Sequence, residues 1–283
     1  MAGFRGVGGP IYQLGAVVAL LATAAPAFAQ SGGTPVPVPQ DPCPAAYPGD
    51  DADRQSLARW MARGAALRDL PQELPVMAGL AESGLRNLNT RGNPFAGFFS
   101  MHRALDAGPY RGFAGKPRLQ LRWFLDAAVR VRQRELAEGD EDFGSDSSGY
   151  GLWIADVERP APENRSGYQR YFVDADALLT ESCRPASHVA DERPPVLRVK
   201  ASGRQRGAVV VTARCPAEPC MVAAQAEPAK HVRVAAAVDA DADPVTLTLP
   251  ARARRSGRLV VAVTAADESG NTTRVEKRVT LLR

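Results

Sequence analysis

Residues 74–101 read LPVMAGLAESGLRNLNTRGNPFAGFFSM. The first part is an apolar, small-residue helix carrying a single acidic residue, Glu82. A carboxylic acid in such a helix is costly to bury unless it is paired or used. At about 100° per residue, Met77, Leu80, Ala81 and Gly84 fall on one side, and Glu82 lies well away from them. One turn back stand Ala78 and Gly79, both small, which predicts room for a ligand beside the carboxyl. One turn forward stands Arg86, so the competing reading is a surface Glu82–Arg86 pair worth about 0.3 kcal/mol. Asn87–Pro94 is a turn cluster that stops the helix. Residues 96–101 then resume apolar character, with Gly97 permitting close backbone approach.

Upstream, Asp51–Asp53 open a helix in which Leu57, Trp60, Met61, Ala65 and Leu67 recur at helical spacing. Asp69-Leu70-Pro71 ends it. Downstream, Gly108–Pro117 is a Gly/Pro loop, and Arg118–Arg134 is an amphipathic helix. Its buried stripe is Leu121, Phe124, Leu125, Ala128 and Val131, and its arginines read as a solvated face. Residues 138–150 form an acidic loop without the spacing of a calcium site. Tyr150–Val157 starts a helix that Pro160 and Pro162 interrupt, and Tyr168–Leu179 is the last helix.

The N-terminus predicts the compartment. Arg5 precedes an apolar run, residues 16–25, too short to span a bilayer, and Ala27-Phe28-Ala29 fits a signal-peptide cleavage rule. Residues 1–29 are therefore expected to be a signal peptide, with an uncleaved anchor as the competing reading. Residues 30–50 are a Pro/Gly-rich leader. The expected location is secreted, periplasmic or cell-envelope, with no stable membrane span after cleavage. Four cysteines fit that setting. Cys215 and Cys220 lie close enough for a local bridge, which leaves Cys43 with Cys183 around the helical region. A zinc site fails on spacing, because no CxxC pair occurs and His102, His188 and His231 are isolated. No metal or cofactor is expected.

Residues 184–195 read as a linker, and the period then changes. Seven short, valine-rich, mostly alternating runs follow: 196–200, 208–213, 221–226, 231–238, 245–249, 259–265 and 274–282. Turn residues punctuate them, with 267–271 the turn between the last two, which is a β-sandwich pattern. In 283 residues the hydrophobic share is 45% and the net charge +4. That excludes general disorder. No basic block has interleaved aromatics, so nucleic acid is not an expected partner.

The helical region, residues 50–182, resembles the lysozyme-like domain of soluble lytic transglycosylases and goose-type lysozymes. Ala81-Glu82-Ser83-Gly84-Leu85-Arg86 looks like the family's Glu-Ser-Gly catalytic helix, and Gly97-Phe98-Phe99-Ser100-Met101 looks like its Gly-Leu-Met-Gln segment. Ser100 stands where the family has glutamine, and the family's late Ala-Tyr-Asn motif is not evident, with Tyr150-Gly151-Leu152-Trp153 the candidate replacement. The resemblance implies that Glu82 is a general acid and then base, cleaving the glycosidic bond between N-acetylmuramic acid and N-acetylglucosamine. Ser83 would support it. Gly97, Phe98, Phe99, Ser100, Tyr150 and Trp153 would border the substrate, and for the aromatics a core position is the competing reading. Asp106, Asp126, Asp156 and Glu158 are the candidates for a second carboxylate, and none sits in a telling motif. The C-terminal region is similar to bacterial immunoglobulin-like or fibronectin-type modules.

The expectation is thus an α+β multidomain protein: a mainly helical lysozyme-like domain at 51–183, then a small all-β sandwich at 196–283. It is a monomer that cleaves peptidoglycan glycan strands. The alternative is a non-catalytic cell-wall binding or adhesion protein on the same scaffold.

Overall fold

The computed structural model describes residues 43–227, 233–240, 242–250 and 257–282, with residues 227 and 233 described by their backbone alone. The expected signal peptide, the leader up to residue 42 and His231 lie outside the described residues. The chain is mixed α+β: helices come first, and two β-sheets follow.

Helix α1 spans Arg54–Ala66. Asp53 caps it, its carboxylate accepting from Ser56 N at 2.8 Å. Leu57, Trp60, Met61 and Ala65 are buried as expected, but Leu67 is not: it lies past the last turn and is 47% exposed. Helix α2 spans Glu73–Ser83, with Pro75 in the first turn, where the missing N–H costs nothing. It is buried on most of its circumference, Leu74 to Gly79 without a break, as expected of a helix apolar all round. Helix α3, Pro117–Ala137, buries all five residues of its predicted stripe. Helix α4 spans Tyr150–Glu158 and stops at Arg159, in the left-handed conformation (φ +54°) just before Pro160. The predicted last helix begins later than expected. Residues 162–167 and 169–171 are short 3-10 turns, and only Phe172–Leu178 forms α5. The Gln169 amide fixes that region, accepting from Gly151 N at 2.7 Å and donating to Ser147 O at 3.0 Å.

Two short strands, β1 (Phe95–Ala96) and β2 (Met101–His102), pair antiparallel and close the 97–100 segment into a hairpin. The remaining strands are β3 (Arg198–Ala201), β4 (Arg204–Arg206), β5 (Ala208–Arg214), β6 (Cys220–Glu227), β7 (Arg233–Val238), β8 (Val245–Pro250), β9 (Gly257–Ala266) and β10 (Thr272–Leu282). They form a three-stranded sheet, β3-β5-β8, and a five-stranded sheet, β4-β10-β9-β6-β7. One apolar cluster takes residues from both sheets: Val209, Val211, Leu247 and Leu249 from one, and Val222, Val261, Val263 and Val279 from the other. β4 carries no apolar alternation and was not predicted; it pairs parallel with the end of β10.

Residues 184–195 are held at both ends. Arg184 pairs with Asp69 at 2.8 Å and His188 Nε2 lies 3.1 Å from the same carboxylate. Thr273 Oγ1 donates to Pro195 O at 2.7 Å. Helix α3 lies against the five-stranded sheet, where Leu136 and Ala137 pack on Ala223 and Ala266. Strand β9 is consequently buried on both faces along Val261–Val263 and Ala265–Ala266. Both disulfides pair as expected: Cys43 with Cys183, and Cys215 with Cys220. Among the described residues, no helix is long and apolar enough to cross a membrane.

Candidate functional site

Glu82 sits in the last turn of α2 and is half-buried. Gly84 takes the left-handed conformation (φ +65°) and ends the helix, and Leu85 N turns back to Gly79 O at 2.9 Å. Leu85, also at positive φ, is buried with its side chain over Gly79: a methyl added there would lie 2.8 Å from Leu85 Cδ2. The space expected beside Gly79 is thus filled by core side chains, and it offers no ligand room. The expected surface pair is absent as well. Arg86 Nε donates to Ser83 O at 3.2 Å, and no Glu82–Arg86 ion pair occurs among the described residues.

The partner of the Glu82 carboxylate is Tyr168. Its hydroxyl donates to Glu82 Oε1 at 2.6 Å. Tyr168 is buried, and burial, the hydrogen bond to Glu82 and the charges of Glu82 and Glu158 all push its hydroxyl far above the usual phenol range. It stays a neutral donor at any ordinary pH. The resemblance implied that Tyr150 would border the substrate. Tyr150 instead packs edge-on to Trp153 and Phe172, and burial first, then the charges of Glu73 and Asp146, raise its hydroxyl. Glu73 opens α2, about 13 Å along the helix from Glu82.

Glu158 is the second acidic group at the site. Its Oε1 is out of contact with solvent and has no hydrogen-bond partner, although the residue as a whole is partly exposed. Burial first, and the charge of Glu82 second, hold its carboxyl well above the usual carboxylate range. The other three candidates are engaged elsewhere. Asp126 pairs with Arg68 and Arg122 and accepts from Tyr110, Asp156 pairs with Arg165 and Arg134, and Asp106 accepts from Gly112 N.

The hairpin loop 97–100 is tied to α2 by hydroxyls. Ser83 Oγ lies 3.0 Å from Gly79 O and 2.8 Å from Phe98 O, and accepts from Arg86 N. The Ser83 hydroxyl is thus committed to backbone groups. Ser100, at φ +44°, donates from Oγ to Glu82 O at 3.0 Å. Gln120, fully buried on α3, holds the far side of the loop. It accepts from Phe98 N at 3.0 Å and donates to Asn87 Oδ1 and Phe113 O. Gly97 is required there: at φ +83°, an added Cβ would lie 2.5 Å from the Gln120 amide carbon.

Of the two readings of Phe98, Phe99 and Trp153, substrate border and core, their burial fits the core one: each is at most 1% exposed and offers no stacking face. Phe99 stacks on Phe124 at 4.7 Å between centroids, and Trp153 Nε1 donates to Ala128 O. They belong to the core of the helical region. Four concavities lie along α3, toward α1 and toward the sheets, and Glu82 borders none of these four.

Sequence reasoning missed Tyr168 and Gln120. Tyr168 lies 86 positions from Glu82, and Gln120 occupies a helix position where the pattern asks only for something buried. A glutamine on the apolar side of the α3 stripe was the one available signal.

No protein-family model matches this chain, and no curated protein matches it.

Proposed function

We propose that the protein is a secreted peptidoglycan-cleaving enzyme, a lytic transglycosylase or lysozyme, with Glu82 as its single acid/base. One observation carries the proposal. A half-buried carboxylate at the end of a buried helix takes a short hydrogen bond from a buried tyrosine, beside a second, enclosed carboxyl. The resemblance of residues 81–86 and 97–101 to the lysozyme-like family supports it, as does the tying of those two segments by Ser83 and Ser100. In this reading the helical part is a lysozyme-like domain, and strands β3–β10 are an immunoglobulin-like or fibronectin-type sandwich. Two disulfides fit a protein that works outside the cytoplasm.

The chemistry follows from one group used twice. Protonated Glu82 gives its proton to the glycosidic oxygen as the bond to the N-acetylmuramic acid carbon breaks. The resulting carboxylate then takes a proton, either from the sugar's own hydroxyl, forming a 1,6-anhydro product, or from water.

A second reading is a wall-binding protein that keeps this scaffold without turnover. The family resemblance carries the scaffold without requiring turnover, and the burial of Phe98, Phe99 and Trp153 removes their stacking faces from both readings. Zymography on cell walls separates the two. Wild type is expected to clear and Glu82→Gln to clear at least 100-fold less, roughly the share of rate a general acid supplies. Equal clearing by both rejects the enzymatic assignment of Glu82. Binding to sacculi without clearing by either establishes the wall-binding reading.

A further inference from the structure

The arginines of α3 are more than a plain solvated face. A groove of about 480 Å³ lies where α1 and α3 meet. Gly64 of α1 lets the two helices approach there: a methyl on it would lie 2.9 Å from Leu121 Cδ2. Leu121 and Leu125 of α3 supply apolar surface to the groove, and so does Leu67, left 47% exposed just past α1. Four arginines line the same groove: Arg63 and Arg68 from α1 and the turn after it, Arg118 and Arg122 from α3. Among the described residues that line it, none is acidic.

Arg118 and Arg122 stand about 6 Å apart along the helix axis, a spacing at which like charges repel. Asp126, which does not line the groove, offsets part of that charge: Arg68 pairs with it, and Arg122 Nε lies 3.4 Å from its Oδ2. Arg63 Nη1 donates to Cys43 O at 3.3 Å. A guanidinium has five N–H donors, so contacts of this kind position the fork without using it up. Arg118 is exposed and has no ion-pair partner among the described residues.

Shape and charge together select an occupant. A flat membrane surface does not follow a groove between two helices. Trp60, which lines the groove, is 4% exposed and gives nucleic-acid bases no stacking face. A phosphate polymer has no apolar group to bury on Leu67, and a single-headed amphiphile brings one charge to four guanidiniums. We propose that the groove binds an acidic peptide segment, with carboxylates on the arginines and an aliphatic side chain against Leu67, Leu121 and Leu125. Paired N–H donors meeting a carboxylate supply the specificity. Glu82 does not line the groove, so this binding goes beyond the wall-cleaving reading and its test needs no turnover.

The test is a nuclear magnetic resonance titration of the full-length protein with an acetylated peptide amide of alternating leucine and glutamate. The side-chain N–H signals of Arg118 and Arg122, assigned by their loss in the variants, are expected to move. Glutamine in place of the peptide's glutamate is expected to weaken binding about tenfold, and serine in place of its leucine about fivefold. Arg118→Gln combined with Arg122→Gln is expected to weaken it about tenfold. Arg118→Gln alone, at a position with no ion pair to lose, decides the matter if the double variant fails to fold, with an expected loss of about threefold. Arginine signals that stay still, or affinity that the variants leave unchanged, overturn the proposal. Equal binding of inorganic polyphosphate at the same arginines shows that charge alone is read and overturns the peptide assignment. Binding to phosphatidylglycerol vesicles with none to the peptide overturns it as well, in favour of a membrane surface.

Discussion

At the residue scale, the protonation of Glu158 makes stability depend on pH. In the folded protein its carboxyl keeps its proton above the ordinary range, while in the unfolded chain it ionises near the ordinary glutamate value of about 4.3. Its contribution to stability is therefore full below that value. It falls as pH rises toward the folded value, by about 1.4 kcal/mol per pH unit in that window. Glu158→Gln removes the dependence and is expected to be more stable than wild type at pH 8, though not at pH 4. Urea unfolding at the two pH values checks this, and an equal difference at both would show that the carboxyl is not held neutral. The same scale explains why Tyr168 escaped the sequence. Nothing local to SGYQRYF marks one tyrosine over another, and only the fold puts the hydroxyl of Tyr168 at 2.6 Å from Glu82.

At the element scale, the hairpin loop 97–100 is the part most sensitive to shape. It is clamped between α2, through Ser83 and Ser100, and α3, through Gln120. Two glycines in this region need positive φ, but their surroundings differ. A methyl at Gly84 would meet nothing closer than 3.6 Å, the mobile end of Arg54. At Gly97 it would meet the buried Gln120 amide at 2.5 Å. Gly84→Ala is expected to cost about 1 kcal/mol, the left-handed strain alone. Gly97→Ala adds a clash and should cost about 3 kcal/mol. Thermal unfolding of the two variants ranks them, and a Gly84→Ala loss as large as that of Gly97→Ala would show that the clamp does not constrain the loop. The glycines, the turn cluster and the helix stripe were legible, because each is a local rule about backbone or periodicity. The clamp was not legible, since it is made by a glutamine from a helix that starts sixteen residues after Met101.

At the scale of the whole molecule, the helical part and the sheets are joined by more than a linker. Arg132 of α3 is 6% exposed and donates to the carbonyls of Asp69, Arg68 and Glu268, so it links the turn after α1 to the turn between β9 and β10. Burial pulls the Arg132 guanidinium below its usual range, and the charges of Asp69, Asp267 and Glu268 act against that pull. Asp69 is a hub in turn, pairing with Arg184 and His188 from residues 184–195. Arg132→Met would leave three carbonyls short of a donor and is expected to cost about 3 kcal/mol. Calorimetry is then expected to show one unfolding transition for wild type and two for the variant, one for the helices and one for the sheets. A variant that still unfolds in one step would show that the apolar contact of Leu136 and Ala137 with Ala223 and Ala266 is enough to couple them.

By itself, the sequence determined the order of the helices and of the strands from β3 to β10 other than β4, the stripe of α3, the alternation of β5 and β8, the turn 267–271 and the singling out of Glu82. Each of these follows from period, propensity or the cost of a charge in an apolar run, all of which act over a few residues. Tertiary structure alone decided what stands beside Glu82. It filled the space at Gly79 with Leu85, sent Phe98, Phe99 and Trp153 into the core, and brought Tyr168 and Glu158 to the end of α2. The physical reason is range. A hydrogen bond between residues 86 positions apart, or a carboxyl enclosed by the packing of two helices, comes into being only when the chain has closed on itself.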